Sequence, residues 1–249
     1  MSLDLSPLLP YLPDLRAGRP LAVLTGAGVS AESGLPTFRG PGGLWEGSRP
    51  EELATPHAFA ADPVRVWRFY EWRRGKVRAA QPNEAHLALA RLEGALPRMT
   101  LITQNVDGLH REAGSRRPIE LHGNIMRDRC SGCETVTPAP PGPHDPLPPK
   151  CPLCSSLLRP DVVWYGESLP PEAWHEAEKA AVESAVFLVV GTSSVVAPAS
   201  TLGVVAARAG AHLFEINPEA TPIAPLAEGV FRSKASVVMG AIAQALGVP

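Results

Sequence analysis

Apolar positions along the chain fall into short continuous blocks separated by longer mixed stretches. Five blocks are mostly apolar or β-branched: Leu21–Thr25, Met99–Thr103, 185–190, 211–216 and 236–239, the last two also carrying His212, Glu215 and Ser236. Each lies close to Gly, Asn or Pro, the pattern of a strand buried on both faces in a parallel sheet. Between some of them the period changes to helical. Residues 83–93 set apolar side chains at helical intervals behind Asn83, a favoured N-cap residue. Residues 171–184 are rich in Ala and Glu, 199–209 follow Pro198, and 240–246 end the pattern. Alternating strands and helices predict an α/β fold, a doubly wound parallel sheet that binds ligands at the carboxyl ends of its strands.

Two stretches interrupt this alternation. Residues 40–81 carry Trp45, Trp67, Trp72 and several arginines, and read as mostly helical. Residues 127–158 hold all four cysteines, and seven prolines fall within 138–149. So many prolines exclude a regular helix or a central strand there. That piece reads as a loop between two metal knuckles.

Composition narrows the functional classes. Of 249 residues, 45% are hydrophobic and 19% charged, which fits a globular chain and argues against bulk disorder. A formal net charge of −2 gives no global attraction to nucleic acid. No apolar run reaches 18 residues, so no membrane span is expected. The first residues, MSLDLSPLLPYLPDL, lack a basic segment and a clean apolar core, so no secretory signal is expected either. Cytoplasmic localisation follows as an expectation, and there cysteines favour metal over disulfides.

The cysteines carry the strongest single motif. Cys130 and Cys133 are separated by two residues, as are Cys151 and Cys154, with 17 residues between the pairs. Two such knuckles complete a tetrahedron of thiolates around zinc. Four thiolates leave no open position for water, so the site reads as structural.

Other motifs are weaker taken singly. The first strand runs into Gly26-Ala27-Gly28-Val29-Ser30, where glycines allow close backbone approach to a pyrophosphate. The next glycine is Gly34, so the spacing differs from the usual dinucleotide fingerprint, and a tight turn explains it equally well. Gln104, Asn105 and Asp107 follow the second strand and point toward the ligand crevice. A neutral imidazole suits proton transfer near pH 7, and on pattern alone either His110 or His122 can fill that role.

Taken in order, these segments resemble the sirtuin family of NAD-dependent protein lysine deacylases. They are GAGVSAESGLPTFRG (26–40), TQNVDGLHREAG (103–114), ELHG (120–123), the cysteine quartet, RPDVVWYGE (159–167), GTSS (191–194) and INP (216–218). The resemblance implies a Rossmann-like NAD-binding domain from 1–39, 84–126 and 159–249. It also implies a small domain with a helical insertion at 40–83 and a zinc ribbon at 127–158. NAD and structural zinc are the implied cofactors.

The resemblance also implies residue roles. Gly26, Ala27, Gly28, Ser30 and Glu32 would line the dinucleotide. Phe38, Arg39 and Trp45 would belong to the cofactor loop. Gln104, Asn105, Val106 and Asp107 would form the nicotinamide-ribose pocket. Gly191, Thr192 and Ser193 would contact phosphate and adenine ribose, while Asn217 and Ala235 would meet the adenosine end. His122 would be the general base, with Asn105 beside it in catalysis. Val163, Tyr165, Gly166 and Glu167 would receive an acyl-lysine peptide as an added strand.

The implied reaction is acyl transfer to ADP-ribose, with no hydride transfer. The amide oxygen attacks the anomeric carbon, nicotinamide leaves, and His122 helps deprotonate a ribose hydroxyl. Free lysine, nicotinamide and O-acyl-ADP-ribose result. Within the family, the resemblance is to the branch that removes succinyl and malonyl groups. Tyr70 and Arg73 are three apart on a predicted helix and share a face, so together they can hold a carboxylate. Ala54 is small enough to leave room for the longer chain. Two alternatives remain at this level: ADP-ribosyl transfer at the same site, and a non-catalytic zinc-ribbon module. No aromatic residue lies between Cys130 and Cys154, so direct nucleic-acid binding is not expected.

Overall fold

The computed structural model describes residues 3–37 and 52–248. Its main sheet has six parallel strands: β1 (Leu21–Thr25), β2 (Met99–Thr103), β3 (Ile119–Glu120), β7 (Val186–Val190), β8 (His212–Ile216) and β9 (Gly229–Phe231). Their spatial order is β3-β2-β1-β7-β8-β9. The chain thus leaves β1 toward one edge and later returns to its other side, which makes the carboxyl end of β1 a topological switch point.

Alternate side chains of the strands enter two separate cores. Leu21, Val23, Leu188 and Val190 pack with Leu89 and Leu92 of α5 (Glu84–Ala95) and with Met239 and Ile242 of α9 (Ala235–Ala245). Leu12 and Leu15 of α1 (Leu12–Arg16) seal the same face. Ala22, Leu24, Phe187 and Val189 face the other way, toward α7 (Pro171–Glu183) and α8 (Leu202–Arg208). Burying each large aliphatic side chain stabilises the domain by about 1.5–3 kcal/mol before entropy. Asn83 caps α5 as its sequence predicts, accepting from the Ala85 N–H at 2.9 Å.

One predicted strand is a helix. Residues 236–239 form the start of α9, whose buried residues Ala235, Val238, Met239, Ile242 and Ala243 follow helical spacing. Two adjacent valines gave the stretch a strand-like composition, but its apolar period over eleven residues is that of a helix. The two edges of the sheet are instead β9 and β3, only three and two residues long. Residues 199–209 begin as a 3-10 turn over Ala199–Thr201 before α8.

The second lobe has a three-stranded antiparallel sheet of β4 (Gly123–Cys130), β5 (Val136–Pro138) and β6 (Leu158–Val162) in the order β5-β4-β6. It packs against α3 (Pro56–Ala61) and α4 (Pro63–Ala79). Trp67 of α4 donates its indole N–H to the Leu158 carbonyl at 2.8 Å. Arg74, wholly buried, donates to the carbonyls of Ile125 (2.7 Å) and Arg127 (3.0 Å) and pairs with Asp128 at 2.6 Å. Arg74 also pairs with Glu71 of its own helix at 3.1 Å, so its contacts to Asp128 and the two carbonyls fix how α4 sits on β4. Among the described residues, no helix is long and apolar enough to cross a membrane.

Candidate active site

Four strands of the main sheet deliver their carboxyl ends to one cleft of 700 Å³. Gly26 follows β1, Gln104 follows β2, Gly191 follows β7 and Asn217 follows β8, and all four residues line it. The glycines are there for loop packing. A Cβ on Gly28 would lie 2.7 Å from the Gly191 oxygen, and one on Gly26 would lie 2.6 Å from the Thr192 Cβ. The Gly26 and Gly28 N–H groups already donate to the carbonyls of Val190 (3.0 Å) and Gly191 (2.7 Å). These glycines therefore bring two loops together as a floor, with Gly26 at the N-cap of α2 (Ala27–Ser30) and Gly28 in its first turn.

Side chains at the strand ends brace one another. Gln104 donates to the Thr192 hydroxyl at 2.9 Å, and Asn217 donates to the Thr192 carbonyl at 2.8 Å. Glu32 accepts from the Ser236 backbone (3.3 Å) and hydroxyl (2.7 Å), tying the first loop to the start of α9, where Ala235 lines the cleft.

His122 lines the cleft, and its Nδ1 lies 2.9 Å from the Gln104 carbonyl oxygen. A carbonyl can only accept, so Nδ1 carries the hydrogen and Nε2 keeps its lone pair. Burial lowers the imidazole pKa from its ordinary value of 6.5, partly offset by the Gln104 contact. The ring is therefore neutral at pH 7 and equipped to accept a proton. Asn105 donates to the Ser30 hydroxyl at 3.1 Å, and that hydroxyl donates to Asp107 at 2.8 Å. Ser30, Asn105 and Asp107 line a smaller cavity of about 40 Å³ next to the cleft. Burial pushes the Asp107 carboxyl pKa up, while the Leu109 N–H and the Ser30 hydroxyl pull it down.

Sequence reasoning missed a buried network under this point. His86 Nδ1 accepts from the Asn83 N–H at 3.2 Å, so its Nε2 donates to Ser30 at 3.3 Å. His110, on α6 (Leu109–Glu112), contacts the Thr25 hydroxyl at 2.9 Å and lies 4.8 Å from the His86 ring. Thr25 in turn donates to Thr103 at 2.8 Å. Burial depresses His86 to about 4 and His110 to about 3. His110 is thus a buried, neutral histidine behind the strand ends and does not line the cleft.

A second group of cleft residues comes from the small lobe and the segment after β6. Ala54, Tyr70, Arg73, Val163, Tyr165, Gly166 and Glu167 all line the cleft. The Val163 N–H donates to the His122 carbonyl at 2.9 Å, and the Tyr165 N–H donates to the Ala54 carbonyl at 2.9 Å. These bonds tie the 163–167 segment to His122 at one end and to Ala54 of the small lobe at the other. Tyr70 accepts from the Trp164 indole N–H at 2.9 Å. Burial raises the Tyr70 pKa, so its phenol keeps its proton. Burial works against the charge of Arg73, and its neighbours Tyr70 and Asp107 support it. Trp164 was not singled out in the sequence, although it sits inside the RPDVVWYGE segment.

The four cysteines meet at the far end of the small sheet. Their sulfurs lie within 4.8 Å of one another, with Cys130 to Cys154 at 3.3 Å and Cys133 to Cys151 at 3.8 Å. Those separations exceed a disulfide bond and suit thiolates sharing one ion. Backbone N–H groups of Gly132 and Leu153 point at Cys130 and Cys151. Each knuckle closes on a residue of positive φ, Glu134 at 58° and Ser155 at 63°. The donor set fits zinc. Phe38, Arg39 and Trp45 lie outside the described residues.

Comparison with known proteins agrees with this geometry. A model of the Sir2 family matches residues 26–198. A protein of Aquifex aeolicus named NAD-dependent protein deacylase is 53% identical over 221 residues, covering 87% of this chain and 90% of that protein. A solved complex of a Sir2 homolog with NAD has a TM-score of 0.88 at 48% identity, covering 96% of this chain and 93% of the other. A Sir2 variant solved with a deacetylated peptide and 3′-O-acetyl ADP ribose has a TM-score of 0.86 at 32% identity. It covers 96% of this chain and 98% of the other.

Proposed function

The chain belongs to the Sir2 family, and from that premise we infer that it is an NAD-dependent protein deacylase acting on acyl-lysine side chains. The observation that carries the reading is the convergence of His122, Asn105 and the four strand ends on one cleft large enough for a dinucleotide and an acylated side chain. Bound NAD supplies an anomeric carbon from which nicotinamide can depart in favour of the amide oxygen. The chain's own residues do the rest.

His122 serves as the general base, its Nε2 held ready by the bond from Nδ1 to Gln104. Asn105, Ser30 and Asp107 hold the ribose and nicotinamide end through their shared hydrogen bonds. Gly26, Ala27, Gly28, Glu32, Gln104, Val106, Gly191, Thr192, Ser193, Asn217 and Ala235 line the remaining path of the dinucleotide. Val163, Tyr165, Gly166 and Glu167 receive the peptide, and the apolar walls of Val163 and Tyr165 hold the lysine stem and exclude water. Positioning supplies much of the rate, because an amide oxygen is a weak nucleophile. The cysteine quartet holds zinc as a structural clamp on the small lobe, which we take to comprise the helical insertion 40–83 and the ribbon 127–158, with its sheet running on to Gly123 and Val162.

We further read Tyr70 and Arg73 as the site for a carboxylate at the end of the acyl group. A neutral phenol and a guanidinium in one cleft beside the small Ala54 support it. Succinyl- and malonyl-lysine are then substrates alongside acetyl-lysine. The test is kcat/KM on matched acetyl-, succinyl- and malonyl-lysine peptides with NAD. Higher values on the acidic acyl groups support the reading, and activity confined to acetyl-lysine overturns its acyl part.

A further inference from the structure

We propose that Trp164 is a specificity-determining positioning residue, whose indole N–H fixes the Tyr70 hydroxyl so that the phenol hydrogen is offered to an acyl carboxylate. The inference deepens the reading of Tyr70 and Arg73 as a carboxylate site and rests on it.

The argument is one of hydrogen-bond accounting. A phenol has one hydrogen and two lone pairs on its oxygen. The Trp164 Nε1–H can only donate, and it lies 2.9 Å from the Tyr70 oxygen. The Arg73 guanidinium can also only donate, and its side chain is hydrogen-bonded to Tyr70. Neither neighbour can accept the Tyr70 hydrogen. Tyr70 lines the cleft, so a carboxylate arriving there meets both that hydrogen and the adjacent guanidinium. An acetyl group has no carboxylate and gains nothing from the arrangement.

The indole is held rigidly for this purpose. The Arg159 guanidinium lies 3.4 Å from the Trp164 ring centroid, so a cation covers one indole face. A cation there draws electron density from the ring and strengthens the N–H as a donor. Arg159 is itself fixed by a two-point contact with Glu167, at 2.5 and 2.9 Å. Glu167 also accepts from the Trp164 backbone N–H at 2.8 Å. Phe59 packs on the indole with ring centroids 5.2 Å apart. Trp164 thereby joins the peptide-receiving segment to the helix that carries the acyl sensor.

Trp164→Phe keeps an aromatic ring and deletes the donor. Steady-state kinetics should show KM for a succinyl-lysine peptide rising about fivefold, the size of one hydrogen bond. Any rise in KM for the acetyl-lysine peptide should be smaller, so that the succinyl-to-acetyl ratio of KM increases about threefold or more. In the double variant Trp164→Phe/Tyr70→Phe, the loss should not exceed that of Tyr70→Phe alone. Equal KM increases on both peptides, or additive losses in the double variant, overturn the proposal. An unchanged succinyl KM in Tyr70→Phe identifies the carboxylate reading itself as the failure. If Trp164→Phe does not fold, the wild-type protein serves. The Trp164 indole N–H resonance should shift further with succinyl-lysine peptide than with acetyl-lysine peptide, because both occupy the cleft that Trp164 lines and only one brings a carboxylate to Tyr70, and equal shifts overturn the proposal.

Discussion

His122 Nδ1 and the Gln104 carbonyl oxygen lie 2.9 Å apart, and this one contact decides which imidazole nitrogen is the base. Burial lowers the His122 pKa below its ordinary 6.5. Protonation removes the base, so activity is lost as pH falls through that lowered value. The acid limb of the kcat/KM profile should therefore lie below 6.5. His122→Ala should abolish the limb and reduce deacylation by about 10²–10⁴-fold. A profile from pH 4.5 to 8 on both proteins checks this.

Arg73→Met should act on one class of acyl group. Losing a charge-assisted contact costs about 1.5–3 kcal/mol, so kcat/KM on succinyl-lysine should fall at least tenfold. Acetyl-lysine turnover should change little. Matched peptides in parallel assays read the ratio.

Gly28→Ala should damage the cleft floor. Its Cβ would stand 2.7 Å from the Gly191 oxygen, against backbone that cannot move cheaply. The expected cost is about 1–3 kcal/mol of stability, with a raised KM for NAD. Thermal unfolding and NAD titration of kinetics measure the two effects, and zinc content should stay unchanged.

Two buried histidines predict acid sensitivity. His86 and His110 are held near 4 and 3 when folded, against 6.5 as free side chains. Between those values the unfolded chain binds more protons than the folded one, so stability falls as pH drops below 6.5. Tm should decline from pH 6.5 toward 4, and the double variant His86→Gln/His110→Gln should flatten that slope.

Metal removal should loosen the small lobe selectively. Chelation at neutral pH should lower Tm and raise the KM for peptide, since the ribbon holds α4 through Arg74 and Asp128. Circular dichroism and peptide titrations before and after zinc is restored would follow both changes.

Much of the site is legible because its chemistry is local. The CxxC pairs state their role within a few residues, whereas the residues after β2 and His122 of the ELHG segment take theirs only from the ordered resemblance of the whole chain. The non-local parts are not legible. Nothing near Ser30 announces His86 and Asn105 as its partners, 56 and 75 residues away. Trp164 reaches Tyr70 across 94 residues, and Arg74 finds Asp128 across 54. The misread stretch at 236–239 has a different cause. Four residues are too few to distinguish a strand from a helix, whereas the buried set from Ala235 to Ala243 reveals the helical period. The edge strands β3 and β9 are too short to leave a pattern at all.

The central claim is best tested by the products. An acyl-lysine peptide incubated with NAD and the protein should give, by mass spectrometry, equal amounts of free-lysine peptide, nicotinamide and O-acyl-ADP-ribose, with formation of free-lysine peptide and O-acyl-ADP-ribose reduced about 10²–10⁴-fold in His122→Ala. A peptide that instead gains the mass of ADP-ribose and keeps its acyl group would contradict the account.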